Sequence, residues 1–157
     1  MKPNLSTKKL REIDCVKKFL KNSSISFKDC EIIPNSEENS IVDVFWGNKK
    51  FQIVYADFEF QKLMNITPKD ENGVRWITRE RKPEDVFNDF FKNPIEKKNK
   101  YGDSAKGFIL LIDSYTIPPW LENQVEIFKE SSNDYLENLG FYEIYIVYPG
   151  KNIKVYP

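Results

Sequence analysis

The chain has 157 residues, room for one ordinary domain, and its 24 basic residues balance 24 acidic ones to a net charge of zero. Apolar residues make up 40% and aromatics 15%, enough to bury a core and too much for a disordered chain, while zero net charge argues against a whole-surface grip on nucleic acid or anionic lipid. The absence of histidine excludes Ser-His-Asp and Cys-His nucleophile systems, HNH-type nuclease sites, HExxH metalloproteases and histidine-bearing zinc sites.

The N-terminal segment is charged throughout, with no apolar stretch of the kind a secretory signal needs. No apolar run approaches the ~18 residues of a membrane span, so a cytoplasmic protein without membrane contact is expected. Cys15 and Cys30 form no CxxC pair and read as two reduced, packed thiols.

Ser6 is placed to cap a first helix over Thr7–Lys21, with Leu10, Ile13, Val16, Phe19 and Leu20 on one apolar face. A short strand is expected at Cys30–Ile33, ended by Pro34. Two more, Ile41–Trp46 and Lys50–Phe60, flank the turn signal Gly47-Asn48. Lys82-Pro83-Glu84-Asp85 opens a second helix with Val86, Phe87, Phe90 and Phe91 on its apolar side, stopped by Pro94. Gly107–Asp113 is a nearly continuous apolar strand, expected to be central and covered on both faces. A long third helix runs from Pro118-Pro119 to about Leu139, where Gly140 ends it. Phe141–Tyr148 is a last strong strand, with Asn152–Tyr156 as a short edge. The class is α/β (α+β): a single domain over 1–157, its core about 7–148, with loops at 62–82 and 94–106. Its mixed sheet is flanked by helices in the order α-β-β-β-α-β-α-β.

Charge is segregated along the chain: residues 1–28 carry +6, 29–72 carry −5, 73–106 carry +3 and 107–157 carry −4. A basic first helix and a basic segment over 75–106 beside an acidic sheet would steer a phosphate backbone toward carboxylates. The plainer reading makes the helix lysines a solvated face. Arg75, Trp76, Arg79, Arg81 and Lys82 combine an aromatic ring with guanidinium groups, which suits clamping a nucleotide or anchoring a protein partner.

Asp43 lies inside an apolar run, where a charge costs several kcal/mol unless it is paired, solvated or bound to metal. A two-residue loop at Gly47-Asn48 sets Asp43 opposite Gln52; a four-residue loop sets it opposite Val54. Either register puts it on the face of Lys50, Gln52 and Val54. Asp57 and Glu59 form a second pair, facing the other way unless a bulge near Ala56 switches them. Asp113 reads as a strand-end turn residue, though ligands collect at strand C-termini in α/β sheets and it stays a candidate, and Glu12 reads as a rim residue on the shoulder of its helix. No glycine loop for phosphates is present, and no nucleotide, haem or histidine-based zinc site is expected.

With Asp43, then Gln52-Ile53-Val54 nine residues later, and Glu12 in the first helix, the sequence resembles the PD-(D/E)XK nuclease superfamily. That group has an α-β-β-β-α-β core, a metal-binding aspartate on the second strand and an acid-x-lysine triplet on the third; many members add a glutamate on the first helix. The order of elements covers about residues 7 to 148. Gln52 stands in place of the acid and Val54 in place of the lysine. The resemblance implies a Mg²⁺-dependent, endonuclease-like phosphodiesterase acting on DNA. Asp43, Gln52, Lys50 and Glu12 would be its catalytic set, with Asp43 and Gln52, or Asp57 and Glu59, as metal ligands. The alternative is a non-catalytic interaction module on the same scaffold, of inhibitor or immunity type, with a partner protein in place of DNA.

Overall fold

The computed structural model describes residues 5–37, 40–56, 68–74, 92–96, 106–114 and 121–157. Helix α1 (Thr7–Asn22) begins where the Ser6 side chain accepts the Lys9 N–H at 3.3 Å, the expected capping contact. Its buried stripe runs through Glu12, Ile13, Cys15, Val16, Phe19 and Leu20. Leu10, expected on that stripe, is exposed, because the stripe is centred on Glu12, Val16 and Phe19 and position 10 lies on the far side of the helix.

Six strands lie side by side in chain order: β1 (Ile32–Pro34), β2 (Val44–Trp46), β3 (Lys49–Tyr55), β4 (Ile109–Asp113), β5 (Glu143–Tyr148) and β6 (Lys151–Tyr156). The first three form an antiparallel meander. Strands β3, β4 and β5 are parallel, and β6 returns antiparallel to β5. This is the mixed sheet with helices that the sequence predicts. Trp46 pairs with Lys49 across a two-residue turn at Gly47-Asn48, which decides the register in favour of the shorter loop. The first strand starts later than expected. A 3-10 turn occupies Asp29–Glu31, closed by the Glu31 carboxylate accepting the Lys28 N–H at 3.0 Å.

Pleating sorts the sheet into two faces. Val44, Phe51, Ile53, Ile109, Leu111 and Val147 pack under α1. Val54, Leu110, Ile112, Ile144, Ile146, Ile153 and Val155 pack against α2 (Asn93–Glu96), α3 (Leu121–Ser131) and α4 (Asn133–Asn138). Strand β4 is buried throughout, as a central strand covered on both faces must be. Each fully buried aliphatic side chain here contributes roughly 1.5–3 kcal/mol.

Two further expectations change. The third helix is two, broken at Ser132, whose φ of −133° is not helical. Ser131 Oγ turns back to donate to the Ile127 carbonyl at 3.1 Å, and a Ser-Ser-Asn run offers the backbone such alternatives at low cost. Pro94, expected to stop a helix and open a loop, sits inside α2. The rest of the expected second helix lies outside the described residues. Among the described residues no helix is long and apolar enough to cross a membrane.

Candidate functional site

The expected strand over Ile41–Trp46 is paired only from Val44, so Asp43 precedes β2 instead of lying within it. Its N–H donates to the Phe51 carbonyl at 2.9 Å, offset from the register in which Phe51 faces Val44. Its carboxylate Oδ2 accepts the Ile53 N–H at 2.8 Å. The Asp43 side chain therefore takes up a β3 backbone donor where the β2 ladder has ended, which answers the cost of placing a charge there. Asn35 secures the preceding segment: its N–H donates to the Asp43 carbonyl and its Nδ2 to the Val42 carbonyl, both at 2.9 Å. Lys9 Nζ in turn donates to the Asn35 carbonyl at 2.7 Å, tying α1 to this segment.

Glu12 is buried, 4% exposed, in place of the expected rim position. Lys8, one turn earlier, lies 3.7 Å from its carboxylate. Glu12 and Asp43 open on one cavity of about 270 Å³, completed by Ser6, Lys8, Lys9, Asn35, Glu37, Ser40 and Val42. Its oxygen donors come from Glu12, Glu37, Asp43, Asn35, Ser6 and Ser40, hard ligands of the kind that suit magnesium, with two lysines beside them. Among the described residues no group of three or more His, Cys, Asp or Glu is arranged to hold a metal ion, so a Mg²⁺ here would keep several waters. A larger cavity, about 490 Å³, lies at the other end of β4 and β5 between Lys106, Glu137, Tyr142 and Tyr156; it brings no two carboxylates together.

Gln52 does not line the Glu12–Asp43 cavity. It is fully buried, on the face of Val54 and away from α1, and neither atom of its amide has a hydrogen-bond partner among the described residues. The offset at Asp43 accounts for the separation, since strict alternation would have put both residues on one face. Lys50 is exposed, with its ammonium 5.5 Å from the centre of the Phe108 ring. Asp57, Glu59, Arg75, Trp76, Arg79, Arg81 and Lys82 lie outside the described residues.

Beside the cavity, at the C-terminal ends of β3 and β4, is a cluster of which sequence reasoning singled out only Asp113. Lys18 Nζ donates to Asp113 Oδ1 at 2.6 Å, and the Asp113 side chain is only 8% exposed, so it is no turn residue. Burial, and then the Asp113 charge, push the Cys15 thiol well above its ordinary range. Tyr55, the register partner of Asp113, carries the Arg11 guanidinium 4.2 Å from its ring centre. Its hydroxyl is buried without a partner among the described residues, and burial followed by the Glu12 charge raises its pKa. The one available signal was Asp113 itself, an acid closing an apolar strand. Cys30, expected to be packed, is exposed because it lies on the 3-10 turn. The α1 lysines are more than a solvated face: Lys9, Lys17 and Lys18 each reach a partner outside the helix.

Comparison with protein-family models, with curated proteins and with solved structures found no match.

Proposed function

We propose that the chain is a magnesium-dependent, nuclease-like domain acting on DNA phosphodiesters, with Glu12 and Asp43 at its centre. The observation that carries this reading is that these two acids, from separate elements, open on one cavity lined by oxygen donors and two lysines. The helix, antiparallel meander and following parallel strand are in keeping with the core of the PD-(D/E)XK superfamily.

Bound magnesium would polarise the phosphate and lower the pKa of a coordinated water. The residues supply position and charge. The Ile53 N–H fixes one oxygen of Asp43, the Lys8 ammonium lies beside Glu12, and Lys9 holds the Asn35 segment against α1. Gln52, buried on the other face, is assigned no ligand role.

The test is calorimetric titration of Mg²⁺ and Mn²⁺ into wild type, Asp43→Asn and Glu12→Gln, followed by plasmid nicking with the same proteins. Asparagine keeps an acceptor for the Ile53 N–H while removing the charge. Binding and nicking that vanish in both folded variants support the reading. Wild type that binds neither ion sinks it and leaves the protein-interaction module as the better account.

A further inference from the structure

The Glu12–Asp43 cavity is lined by two lysines that are held in different ways. Lys9 is half-buried and its Nζ donates to the Asn35 carbonyl at 2.7 Å, which makes it a fixed strut between α1 and the Asn35 segment. Lys8 stands one turn before Glu12, with its ammonium 3.7 Å from Glu12 Oε1. Among the described residues its side chain makes no other ion pair or hydrogen bond. The Lys8 side chain is 74% exposed and that of Glu12 only 6%, so the lysine lies at the mouth of the cavity and the acid inside it.

At 3.7 Å the ammonium neutralises Glu12 without a hydrogen bond to lock it there, and an exposed pair of this kind is weak. Magnesium takes carboxylate oxygens at about 2.1 Å, so an ion on Glu12 Oε1 would come within about 6 Å of Lys8 Nζ. Two cations that close repel one another. The ammonium is the one free to yield, because it rides on a flexible, solvent-exposed stem. A divalent ion also draws a phosphodiester oxygen toward itself, and so brings an anion to the mouth of the cavity. A charge-assisted contact with that anion is then open to Lys8.

We propose that Lys8 is an exchangeable cation of this site. It balances the charge of Glu12 until a divalent ion binds there, and then turns outward to a non-bridging oxygen of the DNA backbone. The inference rests on the nuclease-like reading and couples metal binding to substrate binding within the same site.

The experiment compares wild type, Lys8→Met and Lys8→Arg, with Lys21→Met as the control at an exposed lysine in the last turn of α1. Mn²⁺ is titrated calorimetrically, and a fluorescent oligonucleotide is titrated in Ca²⁺ and again in EDTA. Lys8→Met is expected to bind Mn²⁺ about fivefold more tightly, having lost a competing cation. It is expected to bind the oligonucleotide about tenfold more weakly in Ca²⁺, and nearly as wild type does in EDTA. Lys8→Arg and Lys21→Met should follow wild type throughout. Equal losses in Ca²⁺ and EDTA would mark Lys8 as an ordinary surface charge and overturn the inference. Mn²⁺ affinity that does not rise in Lys8→Met overturns it too, as does a wild type that binds Mn²⁺ but no oligonucleotide. A wild type that binds no Mn²⁺ fails the nuclease-like reading itself, and the inference with it.

Discussion

Lys18 Nζ and Asp113 Oδ1 meet at 2.6 Å across 95 residues of chain, fastening the middle of α1 to the C-terminal end of the central strand. The pair is largely withdrawn from water, with side chains 23% and 8% exposed, so removing the carboxylate takes the closest counter-charge from a largely buried ammonium. Asp113→Ala should cost about 3–5 kcal/mol in urea unfolding. The double change Lys18→Met with Asp113→Leu should cost far less, because it removes both charges together. Equal losses in the two proteins would show that packing at position 113, and not the ion pair, is what matters.

Gln52 leads to the opposite expectation. A buried amide without a partner forfeits its hydrogen bonds to water and gains nothing for them. Gln52→Met should therefore stabilise the protein by about 1–3 kcal/mol and leave its Mn²⁺ affinity unchanged. A loss of stability would reveal a partner for the amide, and weakened Mn²⁺ binding would return Gln52 to the ligand set.

Four thiol and phenol groups bear on alkaline stability. Cys15, Tyr55, Tyr135 and Tyr145 all have pKa values raised in the fold, chiefly by burial, with the hydrogen bond from the Tyr145 hydroxyl to Glu143 adding to the last. Between the unfolded and folded pKa of each group the native state holds the extra proton, so stability falls as pH rises. Unfolding free energy should decline from about pH 8.5 upward, first through Cys15 and then, near pH 10, through the tyrosines. A flat profile from pH 8 to 10.5 would rule out these burial effects.

The same burial separates the two thiols. Cys30 is exposed and should react with a disulfide reagent at the rate of a free thiol, while Cys15 should remain unreactive until the protein unfolds. Counting thiols before and after denaturant distinguishes one fast site from two.

Gly140 ends α4 with φ at +83°, in the left-handed region that side chains avoid. Gly140→Ala should lower stability by about 1 kcal/mol, read as a shift in the urea midpoint with an unchanged slope.

The strands were legible because apolar alternation and turn chemistry act over a few residues: Gly47-Asn48 between β2 and β3, and the continuous run that became β4. The break at Ser132 escaped because a helical apolar period continues across it to Leu136 and Leu139, and three weak helix formers decide the matter locally. Half of the candidate site was readable. Glu12 and Asp43 stand out as acids among apolar neighbours, but their meeting depends on the one-residue offset at Phe51, which no short-range pattern encodes. The union of Lys18 with Asp113 and that of Arg11 with Tyr55 are set by how α1 lies on the sheet, a long-range choice invisible in either segment alone.

The anchoring of α1 bears on how the protein emerges from the ribosome. Besides Asp113, the helix is held by Asn22 Nδ2 donating to the Tyr148 carbonyl and by Asn152 Nδ2 donating to the Phe19 carbonyl, contacts that span 126 and 133 residues. Helix α1 must therefore wait, with its apolar stripe uncovered, until β4 and the β5–β6 hairpin downstream of it have been made. Glu12 cannot settle beside Asp43 before that docking. The candidate site is consequently among the last features to form, and a partly made chain would carry its acids without the means to use them.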